Sequence, residues 1–343
     1  MALREDLPRA ALQRIVEDSL QHLLRLIRPN GRFVYAHPAG HPDRPLEGYN
    51  MLRHCGTLWF MLRAVNDLGL ALGEPDRQAI GRAVGYAAGK FARPGWLDGD
   101  TLALVTKDAV KTGGIGLALV MLAEYRRAGG MPTGATSGAL PGPIDDTIRA
   151  LAAYGLAQRD GMDFLHKRQF SDGAVLPFRS DYYTGELLLG LFVTSHTDPG
   201  ALASTEALMA RRYGVPEQSH WMAYAACEAA ERGLAGDERL VGYLADLVGD
   251  IIDKPGYRAR RQSTPIACRS EALTRFVLLC DRWPGRFSDG LRAAALRAAD
   301  ENLVLQLDWY DAGQFRKGDE DDKVQIDYVQ HNATAFLNRW LIG

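Results

Sequence analysis

Apolar side chains recur three and four residues apart along most of the chain, the period of one face of an α-helix. The pattern predicts helices over 8–27, 50–69, 76–92, 113–128, 144–159, 184–196, 199–212, 218–233, 237–252, 264–282, 288–307 and 325–341. Breakers separate them: Gly73-Glu74-Pro75, Gly129-Gly130, Pro199-Gly200, Gly233, Gly236 and Pro284-Gly285. Period-two alternation is scarce, so only short extended pieces are expected, at 32–36, 174–178 and 314–316. Two kinds of helix stand out. GIGLALVMLAEY and GELLLGLFV are apolar nearly all round, as helices buried on most faces are. The stretch 290–303 (GLRAAALRAADENL) has one apolar stripe and a charged back. Enclosed and half-exposed helices in alternation predict an inner and an outer ring.

A partial internal echo points the same way. HLLRLIRPNGRF (22–33), FLHKRQFSDGAV (164–175) and NLVLQLDWYDAGQF (302–315) each read as an apolar helix end, then a polar turn, then Gly-x-Phe or Gly-x-Val. Gly31, Gly173 and Gly313 lie 142 and 140 residues apart. Glycine supplies the positive φ at which a helix stops and the chain reverses. After each comes a new helix with a polar opening: 48–57, 182–190 and 324–335. Six helical hairpins of about 57 residues each, at 1.5 Å rise per helical residue, account for the length as one domain over 1–343; the glycine spacing is not a clean multiple of that unit.

Composition narrows the class. With 40 basic and 42 acidic residues and a formal charge of −2, the chain lacks the basic excess of a nucleic-acid binder or a polybasic membrane-surface protein. No apolar run is long enough to span a bilayer, and the acidic N-terminus is unlike a secretory signal, so a soluble, cytoplasmic protein is expected. Cys55, Cys227, Cys268 and Cys280 form no CxxC pair and read mostly as small buried side chains.

The phrases RQFSDGAV, YYTGELLLGL, SHWMAYAA, RSEALTR and QIDYVQHNATA, spread from about residue 20 to the C-terminus, resemble the six-hairpin α/α-toroid superfamily. That group includes N-acylglucosamine 2-epimerase-like isomerases, unsaturated glucuronyl hydrolases, and glycosidase and lyase families. The resemblance implies an all-α, (α/α)6-like toroid with a few short extended segments. It also implies a cup lined by loops at one end of the inner helices.

The polar helix openings are therefore the expected rim. Glu186, set against Leu187-Leu188-Leu189, is a carboxyl whose apolar surroundings would raise its pKa and suit it to acid catalysis. Asp327, Gln330 and His331 fall three and four apart, on one helix face. Glu186 and Asp327 are the carboxylate candidates, since glycoside cleavage uses two. His54, His220 and His331 are the proton-transfer candidates, since epimerisation beside a carbonyl needs an acid and a base. Tyr49, Asn50, Arg53, Tyr183, Trp221, Gln330 and Glu271 are expected to orient a small-molecule or oligosaccharide substrate. Each has a plainer alternative: His54 as a hydrogen-bonded core residue, the aromatics as packing, Glu271 as the ion-pair partner of Arg269 and Arg275. The leading expectation is a glycosidase or a sugar epimerase or isomerase, with no cofactor.

Other chemistries compete. His54, Cys55, His220 and His331 suggest zinc, as in lanthionine cyclases on a similar toroid, but their paired cysteine signature is absent and adjacent helical residues diverge by about 100°. PIDDT (143–147) and DEDD (319–322) resemble the acid motif of squalene-type, class II terpene cyclases, although Pro143 stands where the leading Asp belongs. A non-catalytic helical scaffold offering a concave binding surface is a further alternative. Gly113-Gly114-Ile115-Gly116 is not a dinucleotide fingerprint, and GATSG (134–138) is not a nucleophile elbow.

Overall fold

A computed structural model describes residues 7–130 and 140–343. The first six residues, part of the N-terminal reading above, and GATSG (134–138) lie outside the described residues. Twelve α-helices occur among the described residues, at all twelve sites the apolar pattern marks. They are α1 (Arg9–Arg25), α2 (Met51–Leu68), α3 (Glu74–Ala88), α4 (Thr112–Arg127), α5 (Ile144–Leu156), α6 (Tyr183–Val193), α7 (Pro199–Ala210), α8 (His220–Glu231), α9 (Asp237–Asp253), α10 (Ser263–Arg282), α11 (Asp289–Gln306) and α12 (Ile326–Ile342).

The even-numbered helices pack in the cyclic order α2–α4–α6–α8–α10–α12 and back to α2, closing an inner ring. The odd-numbered helices back onto them from outside. This is an (α/α)6 toroid. The split follows from the side chains: α4 and α6 are buried on almost every face, whereas α11 buries little more than one stripe. Glycine sets the closest inner approach. A Cβ on Gly116 of α4 would lie 2.0 Å from the Glu186 carbonyl oxygen on α6, so only glycine lets these two backbones meet.

Ten short strands accompany the helices among the described residues: β1 (Ala36–Pro38), β2 (Phe91–Ala92), β3 (Ala103–Thr106), β4 (Ala109–Lys111), β5 (Arg159–Asp160), β6 (Asp163–Phe164), β7 (Lys167–Gln169), β8 (Tyr310–Asp311), β9 (Gln314–Gly318) and β10 (Asp321–Gln325). They make sheets ordered β1-β10-β9-β8 and β2-β3-β4-β7, plus the β5–β6 pair. β4 runs directly into α4 and β10 into α12, so the sheets rim the end where inner helices begin. At the other end ion pairs close the ring: Arg63 and Arg127 on Asp67 (3.4 and 2.7 Å) and Arg275 on Glu231 (2.7 Å). Cations there also suit the negative ends of the inner helices.

Three expectations need correction. The segment 164–175 is not a helix end: α5 stops at Leu156, and Phe164 and Lys167–Gln169 are strand. The extended piece expected at 174–178 reduces to one bridge, Val175 to Arg168, and that at 32–36 to a bridge at Phe33 and the start of β1 at Ala36. The three echo glycines do share left-handed backbone (φ 81°, 77° and 88°), but the helices that follow, α2, α6 and α12, are unevenly spaced round the ring. The echo is one of turn chemistry, not threefold symmetry.

Candidate active site

Inner helices α2, α6, α8, α10 and α12 bring their N-terminal turns to a cavity of about 340 Å³, with Leu117 of α4 adding an apolar wall. Converging helix N-termini favour electron-rich groups there. Its lining holds Asn50, Arg53, Tyr183, Glu186, His220, Trp221, Asp327, Gln330 and His331, so nine of the side chains singled out from sequence face one space. Tyr182, Ser180, Thr264 and Cys268 join them.

His331 stands at the centre. Its Nδ1 is 2.7 Å from Oε1 of Glu271, which lies behind it and is fully buried. The Tyr224 hydroxyl donates to the other Glu271 oxygen (3.0 Å), Asn338 donates to Tyr224 (2.8 Å), and Arg63 donates to Asn338 (3.0 Å). A single hydrogen-bonded file thus runs from the cavity to the closed end of the ring. Cys268, three residues before Glu271 on α10, brings its sulfur to within 4.8 Å of the His331 ring; with Nδ1 engaged by Glu271, Nε2 is the ring atom left to meet a ligand. Burial works against a charge on His331, yet the Cys268 sulfur and the Glu271 carboxylate outweigh it and hold the imidazole well above its ordinary value.

His220 is the counterpart. Its ring lies 5.1 Å from that of His331, nearly perpendicular, and its buried Nε2 has no hydrogen-bond partner among the described residues. Burial, then the neighbouring His331 and Arg269, lower it well below its ordinary value, so it is neutral at pH 7. Two adjacent imidazoles are therefore set in opposite protonation states. Trp221 packs beside His220 (4.7 Å) and leans on Trp59 and Tyr224, completing an aromatic wall.

The two carboxylate candidates differ in state: Glu186 is raised as its apolar surroundings predict, and Asp327 is paired. Glu186 is driven by burial up to about 8, against the opposing pull of His331, Arg53 and Lys111, so it carries its proton at pH 7. Its Oε2 has no hydrogen-bond partner among the described residues. Asp327 is instead engaged on both oxygens, by Arg53 Nε (2.9 Å) and Gln325 Nε2 (2.5 Å); Arg53 also donates to Tyr35 (2.8 Å). The fork of Arg53 is fixed by these contacts, with 44% of its side chain still exposed. Asn50 caps α2 by accepting from the Leu52 N–H (2.9 Å).

Three candidates stand elsewhere. His54 is fully buried away from the cavity, with Nδ1 2.7 Å from the Tyr49 hydroxyl and Nε2 2.9 Å from the Ala83 carbonyl. Burial pushes it down to about 4, so it is a neutral core imidazole. Tyr49 is occupied by His54 and by the Phe33 N–H (3.1 Å). Glu271 does not pair with Arg269 or Arg275: Arg275 binds Glu228 and Glu231, and Arg269 binds Gln218 and the Glu217 carbonyl. Cys268 is the residue the sequence reading passed over. Its signal was the three-residue spacing to Glu271, which sets both on one helix face.

The atoms of His220, Cys268, Glu271 and His331 that can bind a metal lie within 4.8 Å of one another. Cys55, named beside His54 for zinc, is sealed in the core, where burial pushes its thiol up to about 12. The acid-motif carboxylates lie outside the cavity lining: exposed Asp145 pairs with Arg126 (2.5 Å), Asp146 with Arg149, and Asp319 with Arg261 (2.8 Å).

No protein-family model and no curated protein matches this sequence. Among solved structures, D-mannose isomerase superposes with a TM-score of 0.66 at 10% identity, over 97% of this chain and 98% of that one. A type II terpene cyclase from Scytonema, in complex with its product merosterolic acid A, gives 0.54 at 12% identity over 98% and 99%. A GH76A α-1,6-mannanase from Salegentibacter gives 0.43 at 10% identity over 97% and 100%. At these identities the likeness is one of fold: the chain is built as the (α/α)6 toroid that sugar-processing and isoprenoid-cyclising enzymes share. No helix among the described residues is long and apolar enough to cross a membrane.

Proposed function

We propose that the protein is a sugar isomerase or epimerase that moves a proton on the carbon beside a carbonyl. The observation that carries this is the pair His220 and His331, opposite in protonation and facing one cavity. Groups whose surroundings drive their pKa values apart divide into base and acid. Neutral His220, with Nε2 free, takes the proton from C2 of an open-chain aldose. The electron pair left behind forms the C1=C2 bond of an enediol, and the carbonyl oxygen takes a proton from His331. Return of a proton to C1, with loss of the O2 proton, gives the ketose; return to C2 from the other face, with the O1 proton going back to His331, gives the epimer. Glu271 keeps His331 oriented and compensates its charge. Protonated Glu186 and the Arg53 fork are donors for sugar hydroxyls, and Trp221 offers a ring face.

Hydrolysis is less well served, because one of the two carboxyls it needs, Asp327, is held on both oxygens by Arg53 and Gln325. Cyclisation of an isoprenoid fits poorly with a chamber of about 340 Å³ lined by Arg53, Glu186 and Asp327. That volume lies near the lower end of the roughly 300–1,000 Å³ of small-molecule sites and suits a sugar unit. The resemblance of fold to D-mannose isomerase supports the same choice. The test is solvent exchange: in D2O, one or more of a panel of aldoses and ketoses should gain deuterium at C1 or C2, and His331→Ala should abolish it.

A second reading rests on the proximity of His220, Cys268, Glu271 and His331. Cysteine and histidine suit zinc, with Glu271 as a ligand or as the hydrogen-bond partner of a ligating His331. The 2.7 Å between His331 Nδ1 and Glu271 favours the hydrogen bond, since ligand atoms around tetrahedral zinc stand about 3.3 Å apart. Elemental analysis of the purified protein separates the readings.

A further inference from the structure

A second cavity, of about 270 Å³, adjoins the first and shares Asn50 and Leu52 with it. Three lysines line it: Lys107, Lys111 and Lys167. Their placement is deliberate in backbone terms. Lys111 ends β4 and is the direct antiparallel partner of Lys167 on β7. Like charges directly opposite across a ladder are unfavourable, and no carboxylate pairs with any of the three among the described residues. Lys167 Nζ lies 5.7 Å from the centre of the Phe178 ring.

Lys107 sits in the tight turn between β3 and β4, where Lys107 and Asp108 both take positive φ (49° and 54°) without being glycine. Asp108 is held there by the Ser171 N–H and hydroxyl (both 2.9 Å), so it anchors the turn and leaves the lysine to the cavity. The first turn of α4 follows Lys111 directly, and its Gly114 is part of the same lining. Burial depresses Lys111, and nearby Lys167 and Arg53 add to it, while Glu186 in the adjoining chamber pulls the other way.

We infer that this lysine-lined cavity receives the anionic end of the substrate, so that the enzyme's sugar carries a phosphate, sulfonate or carboxylate. The inference rests on the isomerase reading for the word sugar, but not for the anion site. An anion between Lys111 and Lys167 would remove the cross-strand repulsion. It would also anchor the sugar at one end, with its carbonyl end free to reach His220 and His331 across Asn50 and Leu52.

The first arm of the test uses inorganic phosphate, titrated calorimetrically at low ionic strength into wild type and Lys111→Gln/Lys167→Gln. Wild type should bind, and the double variant should bind at least tenfold more weakly. Without phosphate the double variant should melt at or above the wild-type temperature, which also shows that it is folded. Absence of binding, or binding the double variant retains, overturns the anion site. The second arm compares a hexose 6-phosphate, a 6-sulfohexose, a uronate and a neutral hexose for binding. A preference for any of the three anionic sugars supports the site and identifies its anion; no preference over the neutral hexose overturns the assignment to substrate. Phosphate binding that depends on the lysines in a protein showing no deuterium exchange would sink the isomerase reading alone.

Discussion

Replacing Glu186 with Gln tests whether this carboxyl is held protonated. The folded group sits at about 8, against an ordinary value of 4.5. Folding therefore keeps a proton that the unfolded chain releases above pH 4.5. The unfolded state gains accordingly as pH rises, and stability falls between 4.5 and about 8, above which both states are ionised. Each pH unit in that window is worth about 1.4 kcal/mol. The loss between pH 5 and pH 7 is then about 3 kcal/mol, and the group is too buried for solvent to screen it. Gln fills the same volume with an amide in place of the carboxylic acid and does not titrate. Urea unfolding at pH 5, 6, 7 and 8 should show the Gln variant gaining on wild type by about 3 kcal/mol from pH 5 to pH 7. Other titrating groups cancel in the difference. Curves that stay parallel within about 0.5 kcal/mol would refute a neutral, buried Glu186.

Gly116→Ala should lower stability by about 1–3 kcal/mol, because its methyl would meet the Glu186 carbonyl and push α4 from α6; thermal melts check this. Tyr224→Phe removes one donor to Glu271 while keeping the ring; the prediction is a several-fold loss in kcat with KM little changed, and a pH profile shifted at the His331 limb. Asp327→Asn removes the carboxylate charge paired with Arg53 while its bond to Tyr35 stays, so the fork is less firmly placed and substrate affinity should fall while a much smaller part of kcat is lost, read from steady-state kinetics. Metal content by elemental analysis should be well below one equivalent; a stoichiometric metal lost together with activity in Cys268→Ala would favour the zinc reading.

Most of the architecture was legible because twelve amphipathic or fully apolar segments carry strong helical periodicity. The inner–outer split followed from α4 and α6 being apolar all round. The strands were mostly missed because two to five residues are too few to show alternation, and 164–175 looked helical only through its match to two real helix ends. The lining of the candidate cavity was legible where polarity interrupts an inner helix near its start, as at Glu186, His220 and His331. His54 met the same criterion, yet it points toward the Ala83 carbonyl on α3: one residue past Arg53 is about 100° round the helix, enough to turn it from chamber to core. Glu271 was credited to the arginines nearest it in sequence, because the file of Tyr224, Asn338 and Arg63 joins helices far apart in the chain. Cys268 was hidden by the general tendency of free cysteine to be buried and inert.

The central claim is that His220 and His331 exchange a carbon-bound proton of a sugar. The most direct measurement is proton NMR of candidate sugars, neutral and anionic, incubated with enzyme in D2O. The account predicts loss of the C2 proton signal of an aldose, or of a C1 proton of a ketose, with wild type. His220→Ala and His331→Ala should each slow it by at least a hundredfold, as removal of a general acid or base does. Exchange that persists undiminished in both variants, or no exchange with any aldose, ketose or anionic sugar, would contradict it.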